Sequence, residues 1–173
     1  IIATDIPRLT GAMIIDACGP LGSLAITDDP SLQCSIAKGW IERKTSVCSE
    51  RLAPQSSYGH GRIRIGYLSS DFCKHAMSYL VAGLFEHHNR DRFEIFGYCA
   101  TLDDNSNVRR RIIASFDHFR LVGELDDERA ARLIRQDEID ILIDLNGLTA
   151  GSRIQILRWR PAPLQATYLG FVG

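Results

Sequence analysis

The stretch Arg62-Ile63-Arg64-Ile65-Gly66-Tyr67-Leu68-Ser69-Ser70-Asp71-Phe72-Cys73-Lys74-His75 decides how the rest of the chain is read. Apolar residues alternate with others up to Leu68, the period of a strand, and a polar turn follows at once. That turn carries Asp71 and His75 just ahead of the helically spaced Leu80, Val81, Leu84 and Phe85. In open α/β sheets, ligands bind in the crevice beyond the carboxyl ends of the strands. A histidine delivered there can give or take a proton near neutral pH.

Working outward, the same grammar recurs. Helix Ser78–His88 is followed by strand Phe93–Cys99, a polar turn at Asp103-Asp104-Asn105 and helix Asn107–Ser115. Strand His118–Val122, helix Asp126–Asp137, strand Ile139–Leu145, helix Ser152–Trp159 and strand Leu164–Phe171 complete the pattern. Alternation with short connections predicts an α/β fold, with a mostly parallel sheet of about five strands and helices on both faces. Ile139–Leu145 is apolar apart from Asp140 and Asp144, as a central strand should be, and runs into a second polar loop at Asn146-Gly147-Leu148-Thr149. Residues 1–50 read as helical: Asp28-Asp29-Pro30 offers an acidic cap and an early proline, and Leu32, Ile36, Trp40 and Ile41 follow at helical spacing. Residues 51–61, with Pro54, Ser56, Ser57, Gly59 and Gly61, read as a linker, and 62–173 as the α/β part.

Composition narrows the class. The chain has 173 residues, 45% hydrophobic and 24% charged, enough for one domain with its own core. A formal net charge of −1 gives no electrostatic reason to expect nucleic acid or an anionic membrane as partner. No apolar run approaches the ~18–20 residues of a membrane-spanning helix. A start at Ile1 without Met or a basic leader reads as an interior piece of a longer chain. Cys18, Cys34, Cys48, Cys73 and Cys99 show no short metal-ligand spacing, and they predict free thiols in a reducing, cytoplasmic-type compartment.

Among polar candidates, a lone Gly66 and no phosphate-binding glycine pattern disfavour a dinucleotide turn. Arg109-Arg110-Arg111 reads as a solvated helix face, and His87 and His88 as helix-end cations. His118 reads as structural, and His60 falls in the linker. Cys73 reads as a small, partly buried residue rather than a nucleophile. His75, Asp71, Asp144 and Asn146 all follow strand ends, where turn formation and helix capping compete with a functional role.

At these residues the chain resembles the O-GlcNAc transferases, including the plant SPINDLY proteins and their bacterial relatives. The likeness runs through Gly66-Tyr67-Leu68-Ser69-Ser70-Asp71-Phe72-x-x-His75 and His88-Asn89-x-x-x-Phe93-Glu94-Ile95-Phe96-x-Tyr98. It continues in Asp140-Ile141-Leu142-Ile143-Asp144-Leu145-Asn146-Gly147-x-Thr149, Gly151-x-Arg153, Arg160-Pro161-Ala162-Pro163-x-Gln165-Ala166 and Tyr168-Leu169-Gly170. Leu24–Lys44 is similar to the segment that joins tetratricopeptide repeats to the catalytic part in bacterial members. The resemblance implies a Rossmann-like, doubly wound N-terminal lobe of a two-lobed, inverting, metal-independent glycosyltransferase that moves a sugar, GlcNAc being the first expectation, from a UDP-sugar to Ser or Thr of acceptor proteins. It implies no cofactor, most nucleotide contacts in a C-terminal lobe absent from this sequence, and partners reached through tetratricopeptide contacts or oligomerisation. His75 matches the family's proposed catalytic base, and Asp71, Asn146, Gly147 and Thr149 are expected to line the cleft or meet the acceptor. The lobe alone is expected to be inactive. Leu148 stands where the family usually has Tyr or His, and Val172 where it has Pro. A degenerate lobe kept as a protein-interaction scaffold is the competing expectation, and a different sugar or acceptor, such as N-glucosylation, a third.

Overall fold

Two helices open the structure, a computed structural model that describes residues 10–48 and 50–171: α1 (Gly11–Ser23) and α2 (Pro30–Lys44). α1 is kinked where Gly19 takes φ 65° ahead of Pro20. α2 begins as its sequence dictates: the Asp29 carboxylate accepts from Ser31 N at 2.8 Å, and Pro30 occupies the first helical position. Residues beyond α2 lie against the α/β part, with Leu52 N donating to Trp159 O and Ala53 N to Arg160 O, both at 3.0 Å.

Then strand and helix alternate: β1 (Ile63–Ser69), α3 (Ala76–Glu86), β2 (Phe93–Cys99), α4 (Asn107–Ala114), β3 (His118–Leu121), α5 (Asp127–Gln136), β4 (Ile141–Asp144), α6 (Ile154–Arg158) and β5 (Leu164–Thr167). The five strands form one sheet in the order β3-β2-β1-β4-β5, and every pair is parallel. The chain winds outward from β1 through β2 to β3, then crosses back to place β4 on the other side of β1. The reversal puts a topological switch point between β1 and β4, the doubly wound arrangement expected from the sequence.

Period-two burial separates two core layers. Ile65, Tyr67, Ile95 and Cys99 pack with Val81, Phe85, Val108 and Ile112 of α3 and α4. Leu68, Phe96, Tyr98 and Leu142 pack with Ala130, Ala131, Ile134 and Ile156 of α5 and α6. Gly66 belongs to the second layer, where a Cβ would sit 2.9 Å from the Tyr98 ring. A third cluster joins Ala37 and Trp40 of α2 to Leu148 in the loop after β4.

Several boundaries shift for identifiable reasons. β4 begins at Ile141, because Asp140 turns its carboxylate to Arg64 N at 3.0 Å and Tyr58 N at 3.1 Å. α6 starts at Ile154, because Arg153 makes no side-chain cap and spends its guanidinium on the loop before α5, reaching Leu125 O at 2.8 Å and Val122 O at 3.2 Å. β5 ends at Thr167, since Leu169 adopts φ 60°, and Phe171 instead bridges to Gly147. Arg109 is 2% exposed, so the basic run is not a solvated face: only Arg110 and Arg111 lie outside, the latter paired with Glu86. All five cysteines are free. Among the described residues no helix is long and apolar enough to cross a membrane.

His88 corrects the helix-end expectation. Its Nε2 meets the Tyr67 hydroxyl at 2.9 Å, and burial, together with the Arg90 guanidinium, holds its pKa below the usual 6.5. The folded state therefore favours neutral His88. Its contribution to stability is fully present above pH 6.5 and is lost as the pH falls toward and through the folded value. In equilibrium unfolding of the full-length protein, the stability advantage of wild type over His88→Gln should shrink as pH is lowered from 7 to 5, within the window that starts at 6.5. A constant difference would mean that His88 does not titrate with folding.

Candidate active site at the switch point

Leu68 and Asp144 sit side by side in the register of β1 and β4, so the loops that leave these strands part company at the centre of the sheet. Asn146 ties the two loops together. Its Oδ1 accepts from Ser70 N at 2.8 Å, and its Nδ2 donates to Asp71 Oδ2 at 2.8 Å and Ser70 Oγ at 2.9 Å. Three neighbours of matching polarity fix the amide's orientation. Asn146 is only 2% exposed, so its side chain braces the crevice floor from beneath.

Asp144 shapes the second loop. It is buried, and its two carboxylate oxygens accept from Asn146 N at 3.2 Å and Gly147 N at 2.8 Å. Burial pushes its pKa up, which the two N–H donors partly offset. Gly147 has φ 57°, and its main chain runs so close to Phe171 that a Cβ would stand 2.2 Å from the Phe171 carbonyl oxygen. Thr149 Oγ1 donates to Asn146 O at 2.9 Å and closes the turn. Gly151, at φ 78°, brings its backbone against Ser70, 2.8 Å from where its own Cβ would lie.

The first loop carries a half-buried carboxylate and an exposed imidazole. The Asp71 side chain is 18% exposed and that of His75 51%. Asp71 N donates to Ser69 Oγ at 2.9 Å, and Ser78 Oγ donates to Asp71 O at 2.5 Å, so the aspartate is anchored through its backbone while its carboxylate faces Asn146 and His75. His75 is the N-cap of α3: its Nδ1 accepts from Met77 N at 3.3 Å and lies 3.8 Å from Asp71 Oδ2. In this arrangement neutral His75 holds its proton on Nε2. Turning Nδ1 from Met77 to Asp71 moves the proton to Nδ1 and frees Nε2 as an acceptor. At 3.8 Å, Asp71 Oδ2 is outside hydrogen-bond distance of Nδ1 as the ring stands.

All five residues singled out from sequence thus gather at one end of β1 and β4. His75 is open to solvent, Asp71 and Thr149 are half-buried, and Asn146 and Gly147 are enclosed by the loops they join. Cys73, beside them, has its thiol pushed up in pKa by burial and by Asp104 and Asp71, the opposite of an activated nucleophile. Among the described residues, no cluster of His, Cys, Asp or Glu is arranged to hold a metal. Leu148 is 5% exposed and packs on Trp40 and Ala37, so its departure from the usual Tyr or His is absorbed into the contact with α2. Val172 lies outside the described residues. A groove of about 830 Å³ runs between α1–α2 and this loop, lined among others by Trp40, Arg43, Thr149, Gly151 and Arg153.

Sequence reasoning missed Arg109, whose Nη1 donates to Phe72 O at 2.7 Å beneath the first loop. It also missed Asp104, whose Oδ2 accepts from Lys74 N at 2.6 Å. Neither the spacing within α4 nor the polar turn before it carried a signal for these contacts, since both are long-range.

Comparison with known proteins gives a consistent picture. Residues 41–173 match the model of glycosyl transferase family 41. A relative from Arabidopsis thaliana, described as "Probable UDP-N-acetylglucosamine--peptide N-acetylglucosaminyltransferase SEC", is 34% identical over 99% of this chain and 19% of its own length. The UDP-N-acetylglucosamine--peptide N-acetylglucosaminyltransferase of Caenorhabditis elegans is 40% identical over 64% of this chain and 10% of its own. A solved structure, a mutant of the Thermobaculum terrenum O-GlcNAc transferase, superposes with a TM-score of 0.74 at 28% identity, covering 96% of this chain and 31% of that one. The chain therefore spans less than a third of the length of these relatives.

Proposed function

The chain belongs to glycosyl transferase family 41, and on that premise we propose that it is the N-terminal catalytic lobe of an enzyme that moves GlcNAc from UDP-GlcNAc to Ser or Thr of acceptor proteins. The observation that carries this reading is the crevice at the switch point, where an exposed His75 stands beside a half-buried Asp71 above a floor locked by Asn146. An acceptor hydroxyl entering there loses its proton to Nε2 of His75 as its oxygen bonds to the anomeric carbon. The bond from that carbon to the UDP oxygen breaks on the opposite face, so configuration inverts. Asp71 holds the resulting imidazolium through Nδ1. UDP leaves as an anion stabilised by groups outside this lobe, with no metal required. The groove between α1–α2 and the Thr149–Arg153 segment lies beside the crevice and suits an extended acceptor chain.

The test uses the full-length protein with UDP-GlcNAc and acceptor proteins in excess EDTA. Mass spectrometry should find one N-acetylhexosamine on Ser or Thr, and NMR of the product should find a β-linkage. Residues 1–173 alone should give no turnover, because one wall of a cleft cannot orient both donor and acceptor. An α-linked product would overturn inversion, and loss of activity in EDTA would overturn metal independence. No transfer by the full-length protein would leave the lobe a protein-interaction scaffold.

A further inference from the structure

At its ends, the loop that carries Asp71 and His75 is held by Asn146, through Ser70 N and the Asp71 carboxylate, and by α3, through Ser78 Oγ and the His75 cap. Between those ends its own bonds are short-range, Cys73 N to Asp71 O at 2.8 Å and His75 N to Cys73 O at 2.7 Å. Two of its main-chain groups are instead taken by the unit that follows β2. From below, Arg109 reaches up from α4 and donates to Phe72 O at 2.7 Å. From the outer side, Asp104 accepts the Lys74 N–H at 2.6 Å, while its other oxygen accepts from Ser106 N at 3.1 Å and Ser106 Oγ at 2.8 Å at the start of α4.

Arg109 is an expensive way to fill that space. It is 2% exposed, and its Nε lies 3.1 Å from Asp103 Oδ1 as an ion pair without hydrogen-bond alignment. Its guanidinium sits 5.8 Å from the centre of the Phe119 ring, a position that methionine or leucine could pack at lower desolvation cost. What an apolar side chain could not do is hold the Phe72 carbonyl in register. Asp104 shows the same bias, since the Lys74 N–H is the largest influence holding its carboxyl below the usual range.

We propose that the β2–α4 unit is a positioning clamp for the catalytic loop, with Arg109 and Asp104 fixing the backbone at Phe72 and Lys74 and so setting His75 against Asp71. This rests on the role proposed for His75. Asp104 and Arg109 are positioning residues: each acts on the loop backbone, and neither is assigned a contact with donor or acceptor.

Asp104→Ala is the cleanest test, because Asp104 is exposed and its loss leaves no buried group uncompensated. In the full-length protein, kcat for transfer should fall ~10-fold or more, since small misplacements of a reacting group are costly. KM for UDP-GlcNAc and the melting temperature should stay near wild type. Asp104→Asn should restore part of kcat, because its carbonyl oxygen can accept from Lys74 N, while its amide can donate to the Ser106 hydroxyl but cannot accept from Ser106 N. Hydrogen exchange at the Lys74 amide should speed up in Asp104→Ala and not in Asp104→Asn. In a His75→Ala background, Asp104→Ala should cost little more, as coupled groups do.

Wild-type kcat in Asp104→Ala overturns the clamp. So does a loss repeated in full without His75, or a raised KM at unchanged kcat, which would make Asp104 a donor contact. His75→Ala on its own separates the two readings. Full activity there removes His75 from the mechanism and the clamp with it. A loss there, with none in Asp104→Ala, removes only the clamp. Arg109→Lys, which keeps the buried charge but cannot serve Phe72 O and Asp103 together, should move kcat in the same direction.

Discussion

Full-length protein carrying His75→Ala should carry out the proposed transfer ~10²-fold more slowly than wild type in a single-turnover assay, the usual size of a general acid–base contribution, while still binding UDP. The structure adds a complication that the sequence did not contain. His75 also caps α3 by accepting from Met77 N, so alanine removes a helix cap together with the proposed base. His75→Asn separates the two. Asparagine is a favoured N-cap, so stability should return, but it has no basic nitrogen, so transfer should stay as slow as in His75→Ala. Unchanged turnover in either variant would take His75 out of the chemistry. Full recovery of turnover in His75→Asn would reduce it to a helix cap.

Gly147→Ala should be the most damaging small substitution at the site. The residue has φ 57°, a conformation that costs an ordinary side chain about 1–2 kcal/mol. Its Cβ would also lie 2.2 Å from the Phe171 carbonyl oxygen, in a segment already drawn tight by Leu148 N donating to that same oxygen. The nearest atoms are all main-chain atoms of Phe171, so no flexible side chain can yield. Overpacking adds about 1–3 kcal/mol, for a loss of about 2–5 kcal/mol in all. A drop in the melting temperature of the full-length protein reads this out. Gly61→Ala is the control, because a Cβ there meets nothing within 4 Å and Gly61 needs no positive φ. Equal melting temperatures for Gly147→Ala and wild type would show that the Gly147–Phe171 approach is not a constraint on the fold.

Much of the architecture was legible because it is written locally. The alternation in Ile63–Leu68 and the apolar run Ile141-Leu142-Ile143 have the period of strands. Asp29-Pro30 and Asp126 cap helices within three residues of their partners. Position at strand ends was enough to gather Asp71, His75, Asn146, Gly147 and Thr149, because a parallel sheet delivers every such loop to the same edge. Their division of labour was not legible in this way. Asn146 and Asp71 look alike as polar loop residues, yet one is enclosed as a brace and the other is only half-buried.

From local pattern came the order of strands and helices, the starts of α2 and α4 and the edge of the sheet where chemistry gathers, since each depends on neighbours a few residues away. Only the tertiary structure decided that Arg109 lies buried under the His75 loop, that Leu148 faces Trp40, that Asp104 holds Lys74 N, and that Nδ1 of His75 is occupied by Met77. The first three depend on partners 30 to 108 residues away along the chain. The fourth turns on a choice between two acceptor geometries around one ring. Periodicity records which face of an element is apolar. It does not record what will cover that face, or which of several polar neighbours a buried donor will find.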